Sequence, residues 1–144
     1  MNVDKEKIRQ KIHFMRENLK NLQQFQGMSI GEFMSNKLNE HAAIRMLQIT
    51  IEATLDICAH AIAREGWGLP KNYAEVVEIA AGEGIIPFEM RDTYKKMARF
   101  RNRVVHLYDD VNPEEVLDII NCRLDDFGPF LENVINKYFS SNQD

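Results

Sequence analysis

Apolar residues recur at three- and four-residue steps through nearly the whole chain. Val3, Ile8, Ile12, Met15, Leu19, Leu22 and Phe25 keep that step in the first stretch, which predicts one amphipathic helix over residues 3–26, stopped near Gly27. Ser29-Ile-Gly-Glu reads as a short N-cap turn leading into a second helix over residues 33–65. That helix is apolar in nearly every direction except a narrow arc of His41, Arg45, Gln48, Glu52 and Asp56. A helix apolar almost all round is a central one; its polar arc reaches solvent through a gap or faces a polar site. Gly66-Trp-Gly-Leu-Pro70 breaks it, with Trp67 read as a hydrophobic plug over the bundle rather than a base-stacking platform. Asn72 caps a short third helix running through Ala80-Ala81, ended by Gly82 and Gly84. Pro87 suits the first turn of a fourth helix, residues 87–108. Asn112-Pro113-Glu114-Glu115 combines an N-cap side chain, a proline and two acids at the start of a fifth, which runs to Tyr138 with a bend at Gly128-Pro129. Strand alternation, internal repeats and linkers are absent. The pattern predicts an all-α, antiparallel bundle of about five helices forming one domain over residues 1–144.

The fourth helix carries an anomaly. At about 100° per residue, Met90, Tyr94, Met97, Ala98, Val104 and Val105 gather on one side, and Arg101 and Tyr108 fall in the middle of that stripe. A guanidinium at the centre of a buried face is costly unless an anion or a hydrogen-bond acceptor meets it. Asn102 and His106 share a different face, roughly 140° round from Arg101.

Composition narrows the field. At 144 residues the chain is long enough for a proper core, and 44% hydrophobic with 28% charged residues is ordinary for a globular protein rather than a disordered one. A net charge of −4 and a sequence pI of 5.6 exclude a wide basic surface wrapped in nucleic acid and leave room for a local patch. Cys58 and Cys122 lack metal spacing and fall inside helical patterns, so both are expected as buried free thiols in a reducing cytoplasm. The charged N-terminus has no apolar run behind it, so no signal peptide is expected. No stretch approaches the roughly 18 apolar residues that span a membrane.

Bland readings of the 97–108 stretch come first. Arg101 pairs with an acid from the central helix, Glu52 or Asp56; His106 meets the helix C-terminal dipole; Tyr108 is a core aromatic with its hydroxyl at the surface. The sharper reading starts from what RNA cleavage without a metal needs. Histidine moves a proton at the 2′-hydroxyl or the leaving oxygen, and a bidentate arginine holds the phosphate and its growing charge. His106 and Arg101 supply both, and Asn102, one turn before His106, is placed to hold its ring. On a regular helix the two side chains diverge. They meet one phosphate only if the helix ends or distorts at His106, or if two copies of the chain share the site. Around the pair, Arg91, Lys95, Lys96, Arg99 and Arg103 face only Glu89 and Asp92 as acids between 89 and 108. Such a run is a solvated face or, beside an Arg–His pair, a phosphate-backbone track, with Lys95, Lys96, Arg99 and Arg103 as the RNA-binding candidates. Glu52, Asp56 and His60 have a ladder-like spacing, but three ligands on one helix make a weak metal site. No metal and no cofactor is expected. His13 and His41 have no evident partner.

Arg101-Asn-Arg-Val-Val-His106-Leu-Tyr108 matches the R-x4-H-x-Y signature of HepT-type toxins, within the HEPN superfamily of small helical ribonucleases. Arg45 through His60 resembles the long second helix of that family, and Pro70 through Gly84-Ile-Ile-Pro87 is similar to its middle connection, so the likeness covers residues 38–120. It implies a homodimer that brings two motif helices together and cuts RNA without a metal ion. It also implies a partner, an MntA-type nucleotidyltransferase antitoxin, that silences the toxin by transferring AMP from ATP onto the motif tyrosine, here Tyr108. A nucleotide two residues from His106 blocks the cleft and offers Arg101 a negative charge in place of RNA. Catalysis then falls to Arg101 and His106, with Asn102, Glu52 and Asp56 in support. The competing readings are a non-catalytic HEPN module that binds a nucleotide or a nucleotidyltransferase, and a structural helical dimer whose polar residues serve only packing.

Overall fold

The computed structural model describes residues 3–140. Seven α-helices form among them: α1 (Lys5–Leu22), α2 (Ile30–Met34), α3 (Lys37–Glu65), α4 (Tyr73–Gly82), α5 (Arg91–His106), α6 (Pro113–Cys122) and α7 (Gly128–Tyr138). The class is the expected all-α bundle, and its strongest start signals act as read. Asn72 accepts from the Glu75 N–H to cap α4, Asn112 accepts from the Glu115 N–H to cap α6, and Ser29 with Glu32 forms a reciprocal capping box on α2.

Three expected boundaries move. The second helix divides because Asn36 leaves helical geometry and caps α3 with its own side chain, leaving α2 as a separate turn and a half. The fifth divides at Arg123 rather than bending at Gly128-Pro129. A 3-10 turn, Leu124–Phe127, intervenes, and Pro129 falls in the first turn of α7, where its missing N–H costs nothing. The fourth starts late, after a 3-10 turn at Phe88–Met90, and stops at His106: Leu107 adopts φ −137°, ψ 51° and Tyr108 opens a further 3-10 turn. That last shift corrects the helical wheel. Tyr108 is 40% exposed and Val105 43%, while Phe100, outside the expected stripe, is buried.

One continuous core runs through the bundle, with α3 at its centre against α1, α4, α5 and α6. By length and composition α3 is apolar enough to cross a membrane, which the sequence reading did not expect. Its apolar side chains are committed to the core instead: Ile44, Leu47, Ile51, Leu55, Ile57 and Ile62 are all at 3% exposure or below. Thr50 and Thr54, buried among them, donate to the Met46 and Thr50 carbonyls, so no hydroxyl is stranded. Helix α1 runs antiparallel to α3, fixed by Asp4 against His60 and Lys11 against Asp56. Cys58 is buried as expected; Cys122, at the end of α6, is exposed, a correction to its reading as a core thiol. Trp67 packs over the core with the Lys137 ammonium 5.4 Å from its ring.

Candidate active site

Helix α5 crosses α3 antiparallel, and two contacts fix the register. Arg101 meets Glu52, and seven residues on, in the 3-10 turn just past the end of α5, Tyr108 meets His41. His41, Gln48 and Glu52 of the polar arc of α3 therefore lie along the seam with α5.

Arg101 donates from Nε to Glu52 Oε2 at 2.8 Å, and its side chain is 20% exposed against 28% for Glu52. Gln48, one turn before Glu52, donates to the same carboxylate oxygen at 3.1 Å. Burial pushes the Glu52 carboxyl upward, but hydrogen bonds from Gln48 and Arg101 and the charges of Arg101 and Arg45 outweigh it and hold it below the ordinary range. The guanidinium is further set by Nη1 donating to Asn102 Oδ1 at 3.2 Å and by the Tyr73 ring, 5.4 Å from its central carbon. So the buried cation that looked costly in sequence has its anion. Its anion grips it through Nε, so the carboxylate does not occupy the Nη groups.

His106 is the last residue of α5 and is exposed. Among the described residues its ring has no hydrogen-bond partner. Asn102 does not hold it; that amide oxygen is taken by Arg101. Asn102 lines a shallow hollow of about 420 Å³ with Pro70, Lys71, Asn72 and Tyr73. The sequence reading missed Tyr73.

Asp56, expected beside Arg101, is not there. It pairs with Lys11 of α1 at 3.2 Å. Glu52, Asp56 and His60 do not converge: the His60 Nε2 accepts the Asp4 backbone N–H at 2.8 Å, and among the described residues no three His, Cys, Asp or Glu side chains gather as a metal cage.

The basic run divides as well. Lys95 and Arg91 both reach Glu78 of α4, and Arg103 grips Glu115 with two bonds at 2.7 and 2.8 Å and adds the Asp110 carbonyl at 3.1 Å. Lys96 and Arg99 have no acidic partner among the described residues. They edge a groove of about 370 Å³ between α3, α5 and α6 whose floor includes Leu47, Ile51, Met97 and Phe100.

His41 is the functional candidate that sequence reasoning left without a partner. Its Nδ1 lies 2.9 Å from the Tyr108 hydroxyl, with the two rings 14° from parallel and their centroids 6.3 Å apart. Burial and the nearby Glu40 and Asp109 carboxylates push the Tyr108 phenol above its ordinary value. The signal was present in the arc itself, since His41, Arg45, Gln48 and Glu52 follow helical steps along one face.

Residues 15–134 match the family described as ribonuclease HepT-like. The chain belongs to that family. Among HepT-like relatives it is 28% identical over 122 residues to the mRNA nuclease HepT of Shewanella oneidensis, covering 85% of this chain and 91% of that one. It is 25% identical over 138 residues to the tRNA nuclease HepT of Aphanizomenon flos-aquae, with 95% and 92% covered. Among solved structures it resembles a tri-AMPylated Shewanella oneidensis HEPN toxin in complex with MNT antitoxin, at a TM-score of 0.79 and 27% identity over 89% of this chain and 96% of that one.

Proposed function

We propose that this HepT-like chain is the toxin of a cytoplasmic toxin–antitoxin pair, a single-domain endoribonuclease that cuts RNA through Arg101 and His106 without a metal ion. The observation that carries the reading is the grip on Arg101. Glu52 holds Nε, Asn102 holds Nη1, and Tyr73 lies against the guanidinium, so the cation is fixed while it keeps N–H groups that these contacts do not use. In the reaction the imidazole takes the proton of the RNA 2′-hydroxyl, that oxygen attacks the adjacent phosphorus, and the 5′-oxygen departs with the bonding pair and takes a proton from water, while the imidazolium returns its own proton to solvent. Arg101 donates to the non-bridging oxygens as their charge rises. Glu52, through its contact with Arg101, positions that cation; Asp56 has no part in it.

The active form is a homodimer. Helix α5 is regular up to His106, so Arg101 and His106 still diverge by roughly 140°, and a second copy places both chemistries around one phosphate. Support comes from the surface beside the seam. Leu38, one turn before His41, is 71% exposed, and Val105 and Leu107 at the end of α5 are 43% and 56% exposed. These exposed side chains flank in sequence the two residues of the His41–Tyr108 contact, and a covering partner buries them. The other partner is a nucleotidyltransferase antitoxin of the MntA type, which silences the toxin by placing AMP on Tyr108. Tyr108 is 40% exposed and follows His106 by two residues in the chain. Similar solved structures are described as an MntA toxin–antitoxin pair and as a tri-AMPylated HEPN toxin in complex with MNT antitoxin.

Expression of the wild-type chain in cells beside His106→Ala tests the reading. Wild type should arrest growth with broken mRNA or tRNA, His106→Ala should not, and co-expression of the nucleotidyltransferase should restore growth. In vitro, EDTA should leave the cleavage rate unchanged. Arrest by His106→Ala equal to wild type, or loss of cleavage in EDTA with recovery on adding a divalent ion, contradicts it.

A further inference from the structure

Transfer of a nucleotide to a tyrosine needs more than an exposed hydroxyl. An unperturbed phenol has a pKa of about 10, and its neutral form is a weak nucleophile toward phosphorus. Here burial, Glu40 and Asp109 all make ionisation harder. Whatever attacks through Tyr108 has to lose its proton during bond formation, to a base already within reach.

The structure holds such a base. His41 Nδ1 is 2.9 Å from the Tyr108 oxygen, within hydrogen-bond range, and the near-parallel rings keep the phenol pointed along the imidazole edge. The contact joins residues 67 positions apart in the chain, and each is positioned by its own backbone. His41 stands in the opening turns of α3, capped by Asn36. Tyr108 stands in the 3-10 turn after α5, closed by Leu107 N–H on the Arg103 carbonyl and Asp110 N–H on the Leu107 carbonyl. The His41 ring is exposed, so a proton taken at Nδ1 is released to water from Nε2.

We propose that His41 is the general base for nucleotidylation of Tyr108, so that the toxin itself supplies the proton acceptor for its own silencing. This rests on the reading of Tyr108 as the AMP acceptor. The neutral imidazole accepts the phenolic hydrogen at Nδ1 as the Tyr108 oxygen attacks the α-phosphorus of ATP. The bond from that phosphorus to the bridging oxygen of the β-phosphate breaks, and pyrophosphate leaves with the electron pair. The products are O-adenylyl-Tyr108, pyrophosphate and an imidazolium that returns its proton to solvent. No oxidant or further reactant is required. The seam of α3 and α5 thus divides its work, with Arg101 and His106 facing RNA and His41 serving the residue that is modified.

The test follows AMP transfer from α-labelled ATP, catalysed by the nucleotidyltransferase partner, with the modified residue located by mass spectrometry. Wild type should be labelled on Tyr108. His41→Ala should lose at least about 10²-fold in initial rate, the ordinary scale for a missing general base. His41→Asn, which keeps a polar side chain but takes up no proton at neutral pH, should fall with it. Added imidazole should restore part of the rate to His41→Ala and none to His41→Asn, whose side chain fills the space. Label on Tyr108 of either variant at the wild-type rate, or a slow His41→Ala that imidazole does not rescue, overturns the base assignment and leaves Tyr108 as acceptor. Absence of label on Tyr108 in the wild type overturns the acceptor reading itself, and His41 with it.

Discussion

Glu52 and Arg101, 49 residues apart in sequence, form a 2.8 Å charge-assisted hydrogen bond across the seam of α3 and α5. Two N–H donors, one from Gln48 and one from Arg101, converge on the same Glu52 oxygen, so the carboxylate is held as firmly as the guanidinium it positions. Activity and stability therefore respond to Glu52 in different ways. Glu52→Gln should lower cleavage by about tenfold or more, through a loosened cation that must stabilise charge in the transition state, while the chain stays folded. Because the Glu52 carboxyl lies below its ordinary value, its stabilising effect is present above the unfolded value of about 4.3 and disappears as pH falls through the lower folded value. Thermal midpoints of wild type and Glu52→Gln should differ most at neutral pH and converge in acid. A variant with wild-type kcat would remove Glu52 from the positioning role.

Phosphate contacts should come from the cations that have no carboxylate of their own. Lys96→Ala and Arg99→Ala are expected to weaken RNA binding and to reduce the slope of log K against log salt by about 0.7 per lost contact on single-stranded RNA. Lys95→Ala and Arg103→Ala should change that slope less, since Glu78 and Glu115 already engage those side chains. Arg103→Ala should act on stability instead. Titrations at several salt concentrations distinguish the two groups, and equal slope changes for all four would show that the internal ion pairs open on RNA.

Much of this was legible in the chain. The helix starts at Asn72 and Asn112 were set by local chemistry, cap side chain and first-turn acids, which act within a few residues. The centrality of α3 followed from its apolar circumference. The Arg101–Glu52 pair was foreseeable because a cation in an apolar stripe demands an anion and the opposite helix offered two. What sequence left open was which of the two would serve: Glu52 and Asp56 are one turn apart, and only the packing of α3 against both α5 and α1 assigns Glu52 to Arg101 and Asp56 to Lys11. The His41–Tyr108 contact was hidden for a related reason. It requires α5 to end at His106 so that Tyr108 swings off the helix, and the wheel that carried the helix through Tyr108 aimed the ring at the core. Similarly, the cations of α5 read as a continuous track because the acids that neutralise them, Glu78 and Glu115, lie on α4 and α6.

Tyr108 should separate silencing from chemistry. Tyr108→Phe is expected to keep most of the RNA cleavage and to resist inactivation by the nucleotidyltransferase with ATP. Cleavage rates before and after incubation with both would show it. Inactivation of Tyr108→Phe to the same extent as wild type would place the regulatory group elsewhere.

A shared site makes a distinctive promise about mixtures. Chains carrying Arg101→Ala and chains carrying His106→Ala should each be inactive, yet mixed heterodimers should recover part of the wild-type rate because one intact Arg101 and one intact His106 can face the same phosphate. Dilution below the dimer dissociation constant should abolish specific activity. A mixture as inactive as its components, together with concentration-independent activity of the wild type, would assign each site to one chain.

The most direct test of the whole account is single-turnover RNA cleavage by purified wild type, Arg101→Ala, His106→Ala and the double variant. Each single variant should lose at least about 10²-fold, and the double variant should be little worse than the worse single one, as expected of groups acting as one unit. Near wild-type cleavage by His106→Ala would contradict the assignment of the catalytic centre to α5.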